Sequence, residues 1–154
     1  FENEILCHCG KKGCLETEAS GSALHRILLE RINSGENSIL SNRINIKGDA
    51  LTLDEIIGAV NKEDLLCIEI VEEIGQKLGK QIAGLINIFN PELVIIGGTL
   101  SLTDDYIAQP IKPAIRKYSL NLVNQDSAIM LSKLRDKAGI IGACMLARSR
   151  MFEC

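Results

Sequence analysis

The chain contains no tryptophan, and its three phenylalanines and two tyrosines are few for 154 residues. Any core must therefore be aliphatic. No apolar run approaches the roughly 20 residues needed to cross a bilayer, and the N-terminus lacks the basic-then-apolar order of a signal peptide. A cytoplasmic chain with no membrane partner is expected. A surplus of positive charge is absent too: 17 Lys and Arg stand against 20 Asp and Glu, a net charge of -3. That balance gives no grip on a phosphate backbone, so DNA would have to be held by a domain outside this chain. Phe1 stands where an initiating methionine would, which makes a fragment of a longer protein the expectation. There is no internal repeat, heptad or low-complexity tract, and the length fits one domain over residues 1–154.

What the chain does have is cysteine, at positions 7, 9, 14, 67, 144 and 154. Three of the six fall in Cys7-His8-Cys9-Gly10-Lys11-Lys12-Gly13-Cys14-Leu15-Glu16. A short loop rich in glycine lets several thiolates converge on one tetrahedral ion, so Cys7, Cys9 and Cys14 read as a metal knuckle lacking a fourth ligand. Three reduced, unligated thiols are the plainer alternative. The other three cysteines lie on helical patterns or at the terminus and read as free thiols. His8 sits between two ligands and should point away from them. His25 lies nine residues beyond Glu16 and reads as a surface or core histidine.

Apolar spacing outlines the rest. Glu16 to about Asn33 reads as a helix with Leu24, Ile27, Leu28 and Ile32 as its stripe, which puts Glu16 in the first turn, where a carboxylate complements the helix dipole whatever its function. Residues 34–50 read as a polar connector with a short helical turn near Ile39 and Leu40. Thr52 with Glu55 predicts a capping box opening a helix to about Val60. Asn61 with Asp64 predicts the start of the longest helix, which runs to Phe89 on a stripe of Cys67, Val71, Ile74, Leu78, Ile82, Leu85 and Phe89. Gly75 and Gly79 inside it each cost about 1 kcal/mol relative to Ala, so helix packing or a ligand should approach closely there. Leu93 to Ile96 reads as a strand buried on both faces and ends at Gly97-Gly98. A helix capped by Ser101 or Thr103 follows to about Leu120, kinked or split by Pro110 and Pro113. Ile129 to Leu134 reads as a second strand and Ala138 to about Arg150 as the last helix. The alternation indicates an α/β fold. Two strands make no stable parallel sheet alone, so the sheet should be completed by sequence outside this chain or by a partner, and a homo-oligomer is expected.

Four segments together resemble the ROK family of sugar kinases and sugar-responsive transcriptional repressors. They are the cysteine loop through Leu15-Glu16, Ala19-Ser20-Gly21, Gly79 to Asn87 leading into Asn90-Pro91-Glu92-Leu93-Val94-Ile95-Ile96-Gly97-Gly98, and Ala138-Gly139-Ile140-Ile141-Gly142-Ala143. The resemblance covers essentially the whole chain as the C-terminal half of a member. It implies the helix-rich C-terminal part of an actin-like ATPase (ribonuclease H-like) domain, with the sheet incomplete in this chain. It also implies a structural zinc on Cys7, Cys9 and Cys14, whose fourth ligand, a histidine, lies upstream.

The family's catalytic Asp and first phosphate segment lie upstream as well, so no catalytic residue is expected in this chain. Glu16 is implied as the acceptor of sugar hydroxyls, a task suited to a carboxylate, which accepts only and can take two hydrogen bonds at once. Glu18, on another face, is not. Gly97 and Gly98 either make a simple turn or, in a kinase, admit adenosine. The connector and the segment Leu51 to Ile57 look more like repressor members. The expectation is thus the sugar-sensing, oligomerising part of a repressor of carbohydrate metabolism that binds a small sugar or sugar phosphate. The alternative is the C-terminal half of an ATP-dependent, glucokinase-like sugar kinase.

Overall fold

Six α-helices and two strands succeed one another in the computed structural model, which describes residues 1, 3–47, 51–120 and 127–152. Gly48 and Asp49 of the connector and Cys154 lie outside the described residues. The helices are α1 (Gly21–Asn33), α2 (Ser41–Lys47), α3 (Leu53–Val60), α4 (Leu65–Phe89), α5 (Asp105–Tyr118) and α6 (Ala138–Phe152). Strand β1 (Leu93–Ile96) lies between α4 and α5, and β2 (Ala128–Leu131) between α5 and α6. Tight 3-10 turns occupy Leu15–Thr17, Thr99–Thr103 and Arg135–Lys137. No helix among the described residues is long and apolar enough to cross a membrane.

Side-chain oxygens set the starts of α1, α3 and α4, and two of these differ from expectation. The first helix begins at Gly21, not Glu16, because the Ser20 hydroxyl accepts the Ala23 N–H at 3.2 Å and caps it. Glu16 therefore belongs to the preceding 3-10 turn. The Thr52–Glu55 capping box is formed as expected. Asn61, by contrast, closes α3, the chain turns through Glu63 at φ 63°, and Asp64 alone caps α4 by accepting the Cys67 N–H at 2.9 Å. The Asp64 carboxylate also accepts the Ile39 N–H at 2.8 Å and so pins the connector, which contains α2 where only a turn was expected. Burial would push that carboxyl up, but the two N–H groups hold it below its ordinary value. Burial, and then the neighbouring Asp64, pushes the Cys67 thiol up to about 12, so it is an inert core cysteine.

Helix α4 has 25 residues, about 38 Å at 1.5 Å per residue, and carries the aliphatic core with Ile70, Val71, Ile74 and Ile86 fully buried. Its buried stripe departs from the expected one toward the C-terminal end. Leu85 and Phe89 are exposed, and Gly79, Ala83 and Ile86 are buried instead. The reason is α5, which packs along the glycine face. A Cβ on Gly75 would lie 2.5 Å from the Pro110 ring, and one on Gly79 would lie 2.7 Å from the Ile111 carbonyl oxygen. Helix packing is thus what the two glycines serve. Pro110 and Pro113 do not split α5, and neither Ser101 nor Thr103 caps it: their hydroxyls donate back to Gly98 and Leu100 inside the 3-10 turn. Arg31 ties α1 to α4 through Glu69 at 2.8 Å and Glu73 at 3.4 Å.

The two strands pair in parallel, with Val94 opposite Ile129 and Ile96 opposite Leu131. These four residues pack against the helical core. The other face is bare: Leu93 is 45% and Ile95 62% exposed, so β1 is not buried on both faces as expected. The second strand stops at Leu131, short of Leu134, where Ser132 and Leu134 enter the turn before α6. No residue of α6 is buried.

Candidate functional site

The cysteine loop is closed by its own backbone. The Cys7 N–H donates to the Lys11 carbonyl at 2.8 Å, the Gly10 N–H to the Cys7 carbonyl at 2.9 Å, and Leu6 pairs with Lys12 in an antiparallel bridge. Gly10 and Gly13 have φ of 80° and 70°, the left-handed conformation that lets so short a loop turn twice. The three sulfurs all lie within 4.8 Å of one another, and those of Cys9 and Cys14 are 3.5 Å apart. Thiolates at about 2.3 Å from a tetrahedral zinc stand about 3.8 Å apart, so the spacing fits such an ion.

The electrostatics agree. The Lys11 backbone N–H, then the Cys14 and Cys7 thiols, hold Cys9 below its ordinary value, while contact with Cys9 pushes Cys14 up to about 11. A bound cation would let all three ionise. His8 is exposed and not part of the sulfur group.

Seven residues span the loop from Gly10 to Glu16, and the 3-10 turn places Glu16 on the surface. Its Oε1 accepts a long hydrogen bond from Ser22 Oγ at 3.5 Å, and its carbonyl accepts the Ser20 hydroxyl at 2.6 Å. Glu16 thereby spans two hollows. One, about 150 Å³, lies against Cys7, His8 and Arg26. The other, about 450 Å³, is walled by Leu53, Leu78, Ile82 and Ile107 and reaches Gly97 and Gly98 beyond Ile96. Gly98 has φ 83°, and a Cβ there would meet nothing within 4 Å, so it opens onto space. The carboxylate and the double glycine, 81 residues apart in the chain by their numbers, therefore line one cleft.

Glu18 faces elsewhere. It accepts from Lys77 Nζ at 2.5 Å and Asn3 Nδ2 at 2.5 Å, and chiefly the Lys77 ammonium holds its carboxyl below the usual range. It is a strut joining the cysteine-loop region to α4. His25 is half-buried, and its Nε2 has no hydrogen-bond partner among the described residues. Sequence reasoning passed over Ser22 and Lys77. A second serine beside the helix-capping Ser20 was a signal for the first; nothing local marked the second.

The fold and the cysteine loop together define a class, and the sequence profile of the ROK family matches residues 1–150. The chain belongs to the ROK family, and its fold is the helix-rich, actin-like one of that family's sugar kinases and repressors. It is 34% identical to a glucokinase of Halalkalibacterium halodurans, covering 97% of this chain and 45% of that protein. It is also 34% identical to the DNA-binding transcriptional dual regulator NagC of Escherichia coli, covering 96% and 34%.

Among solved structures, a ROK family transcriptional regulator homologous to E. coli Mlc superposes with a TM-score of 0.80 at 32% identity, over 97% of this chain and 36% of that one. A ROK glucokinase from Streptomyces griseus, in complex with glucose and AMPPNP, gives 0.78 at 29% identity, over 94% and 47%. The chain thus spans about a third to a half of these relatives, and members of both kinds match it equally well.

Proposed function

We propose that this chain is the sugar-sensing, effector-binding and oligomerising part of a ROK-type transcriptional repressor. The observation that carries the reading is the placement of the Glu16 carboxylate on the rim of the 450 Å³ cleft, at the end of the cysteine loop. Sugar hydroxyls donate to Glu16, whose orientation Ser22 supports. Cys7, Cys9 and Cys14 hold a structural zinc that neutralises their thiolates and braces the loop, with its fourth ligand supplied from outside this chain. Sugar binding favours one of two states of the full-length repressor, and a domain outside this chain grips DNA in the other. The polar connector that contains α2, followed by the segment Leu51 to Ile57, is what supports the repressor over the kinase.

The test uses full-length protein and a panel of glucose, N-acetylglucosamine and xylose read by thermal shift. One sugar should raise the melting temperature, and Glu16→Gln should abolish the rise without lowering the unliganded melting temperature. An unchanged sugar response in Glu16→Gln would overturn the role of Glu16. For zinc, about one ion per chain is expected in the full-length protein and a loss in Cys9→Ser; equal, negligible metal in both refutes the site.

A second reading, the sugar kinase, is favoured by the cleft that Glu16 shares with Gly97 and Gly98, which would let sugar and adenosine meet. Sugar-dependent ATP turnover by the full-length protein would replace the repressor with this reading.

A further inference from the structure

A third hollow, about 420 Å³, opens on a different flank of the α4–α5 pair. Its floor is apolar, formed by Pro110, Pro113 and Ala114, and its rim carries Lys77, Lys80 and Lys117. Lys80 and Lys117 both stand over the ring of Tyr118, 5.5 and 5.3 Å from its centre. Neither has a carboxylate partner among the described residues. In a chain of net charge -3 this is a local reversal of sign. One ring attracts each ammonium weakly, by about 0.5–1 kcal/mol at an exposed site, and neutralises neither charge. An anion does. The volume is that of a small-molecule pocket.

From this we infer a second ligand site, for the phosphoryl group of a small phosphorylated molecule, held by Lys80 and Lys117 over Tyr118. Lysines suit such a ligand as mobile point charges on long stems, and the proline floor accepts the molecule's apolar side. The third lysine gives the site a route to the rest of the molecule. Lys77 lines this hollow and also holds Glu18 at 2.5 Å, two residues from Glu16. An anion that draws Lys77 away from Glu18 slackens the strut that fixes the turn bearing Glu16. Resting on the sugar-binding reading of Glu16, the coupling is reciprocal: anion in the hollow weakens sugar binding, and sugar weakens the anion by the same factor.

The first test needs no sugar. Pyrophosphate is titrated into full-length protein by calorimetry at constant ionic strength, with sodium chloride as the control. Saturable binding is expected, weakened about tenfold or more in Lys80→Gln/Lys117→Gln and unchanged in Glu16→Gln. Binding that does not saturate, that chloride reproduces, or that survives in the double variant overturns the site. Glucose 6-phosphate and AMP, titrated into Glu16→Gln, then distinguish a sugar phosphate from a nucleotide as the source of the phosphoryl group. Binding of an acidic peptide but of none of these phosphates also overturns it.

Coupling is read separately, as a rise in the sugar dissociation constant at saturating pyrophosphate that Lys77→Gln removes. Pyrophosphate binding with no such rise overturns the coupling alone. Absence of any sugar binding overturns the proposed function and leaves the phosphoryl site standing.

Discussion

Two regions of this chain face solvent on different terms. Residues 51–118, with α1 laid against them, surround a closed aliphatic interior in which Leu24, Leu28, Ile56, Ile70, Ile74, Ile107 and Ile111 are all but inaccessible. In the region after it β2 only half-buries Ile129 and Leu131, and α6 buries nothing, leaving Ile140 72%, Met145 57% and Phe152 77% exposed. The second is, if anything, the more apolar in sequence. The difference teaches that hydrophobic composition alone does not make a core; a core needs a second layer to close against. In the first region α4 and α5 supply each other's layer. In the second, one face of a two-stranded sheet and a whole helix have none among the described residues.

Four perturbations would sharpen or break that contrast. The largest effect belongs to the closed region: Ile74→Ala should cost about 2–5 kcal/mol by urea denaturation, because the cavity has no solvent route by which to collapse. Gly79→Val should cost about 1–3 kcal/mol, since even one Cβ meets the Ile111 carbonyl oxygen at 2.7 Å; a neutral effect would mean that α5 is free to move away. Next is a pH effect. Lys77 lowers the folded-state pKa of Glu18, so the stability from this pair is present above the unfolded value of about 4.3 and is lost as pH falls through the lower folded value. Lys77→Met should therefore flatten the decline of melting temperature in acid. The smallest effect belongs to the open region: Ile140→Ala in this chain should change stability by less than about 0.5 kcal/mol. A cost of several kcal/mol there would erase the contrast.

Much of the closed region was legible in the sequence because its signals are local. The Thr52–Glu55 box and the end of the longest helix at Phe89 each depend on neighbours within four residues. What was misread depended on distant partners. Leu85 and Phe89 continued the helical period as well as Ala83 and Ile86 did, and only the approach of α5 decided which set is buried. The start of α1 is a local exception: the Ser20 hydroxyl, four residues after the expected start at Glu16, accepts the Ala23 N–H and caps the helix at Gly21.

The cysteine trio was legible for the same reason as the caps, since all three sulfurs come from one eight-residue stretch. The strut between Glu18 and Lys77 was not, for its partners are 59 residues apart. Nor was the meeting of Glu16 with Gly97 and Gly98, which exists only once α4 has carried the chain across the core and β1 has brought it back.

Gly75, Gly79 and Ala83 recur every four residues along α4, and Pro110 and Ala114 are spaced in the same way on α5. The two helices are thus commensurate, like a rack and its pinion. Pro110 sits in the hollow at Gly75 and Ala114 in the hollow at Gly79, and the repeat that spaces both pairs is four residues, about 6 Å along the axis. Smaller displacements lift a ring and a methyl out of their hollows together. The α4–α5 wall of the cleft is therefore held in register by shape alone, whereas Gly98 in the turn after β1 meets nothing that would hold it.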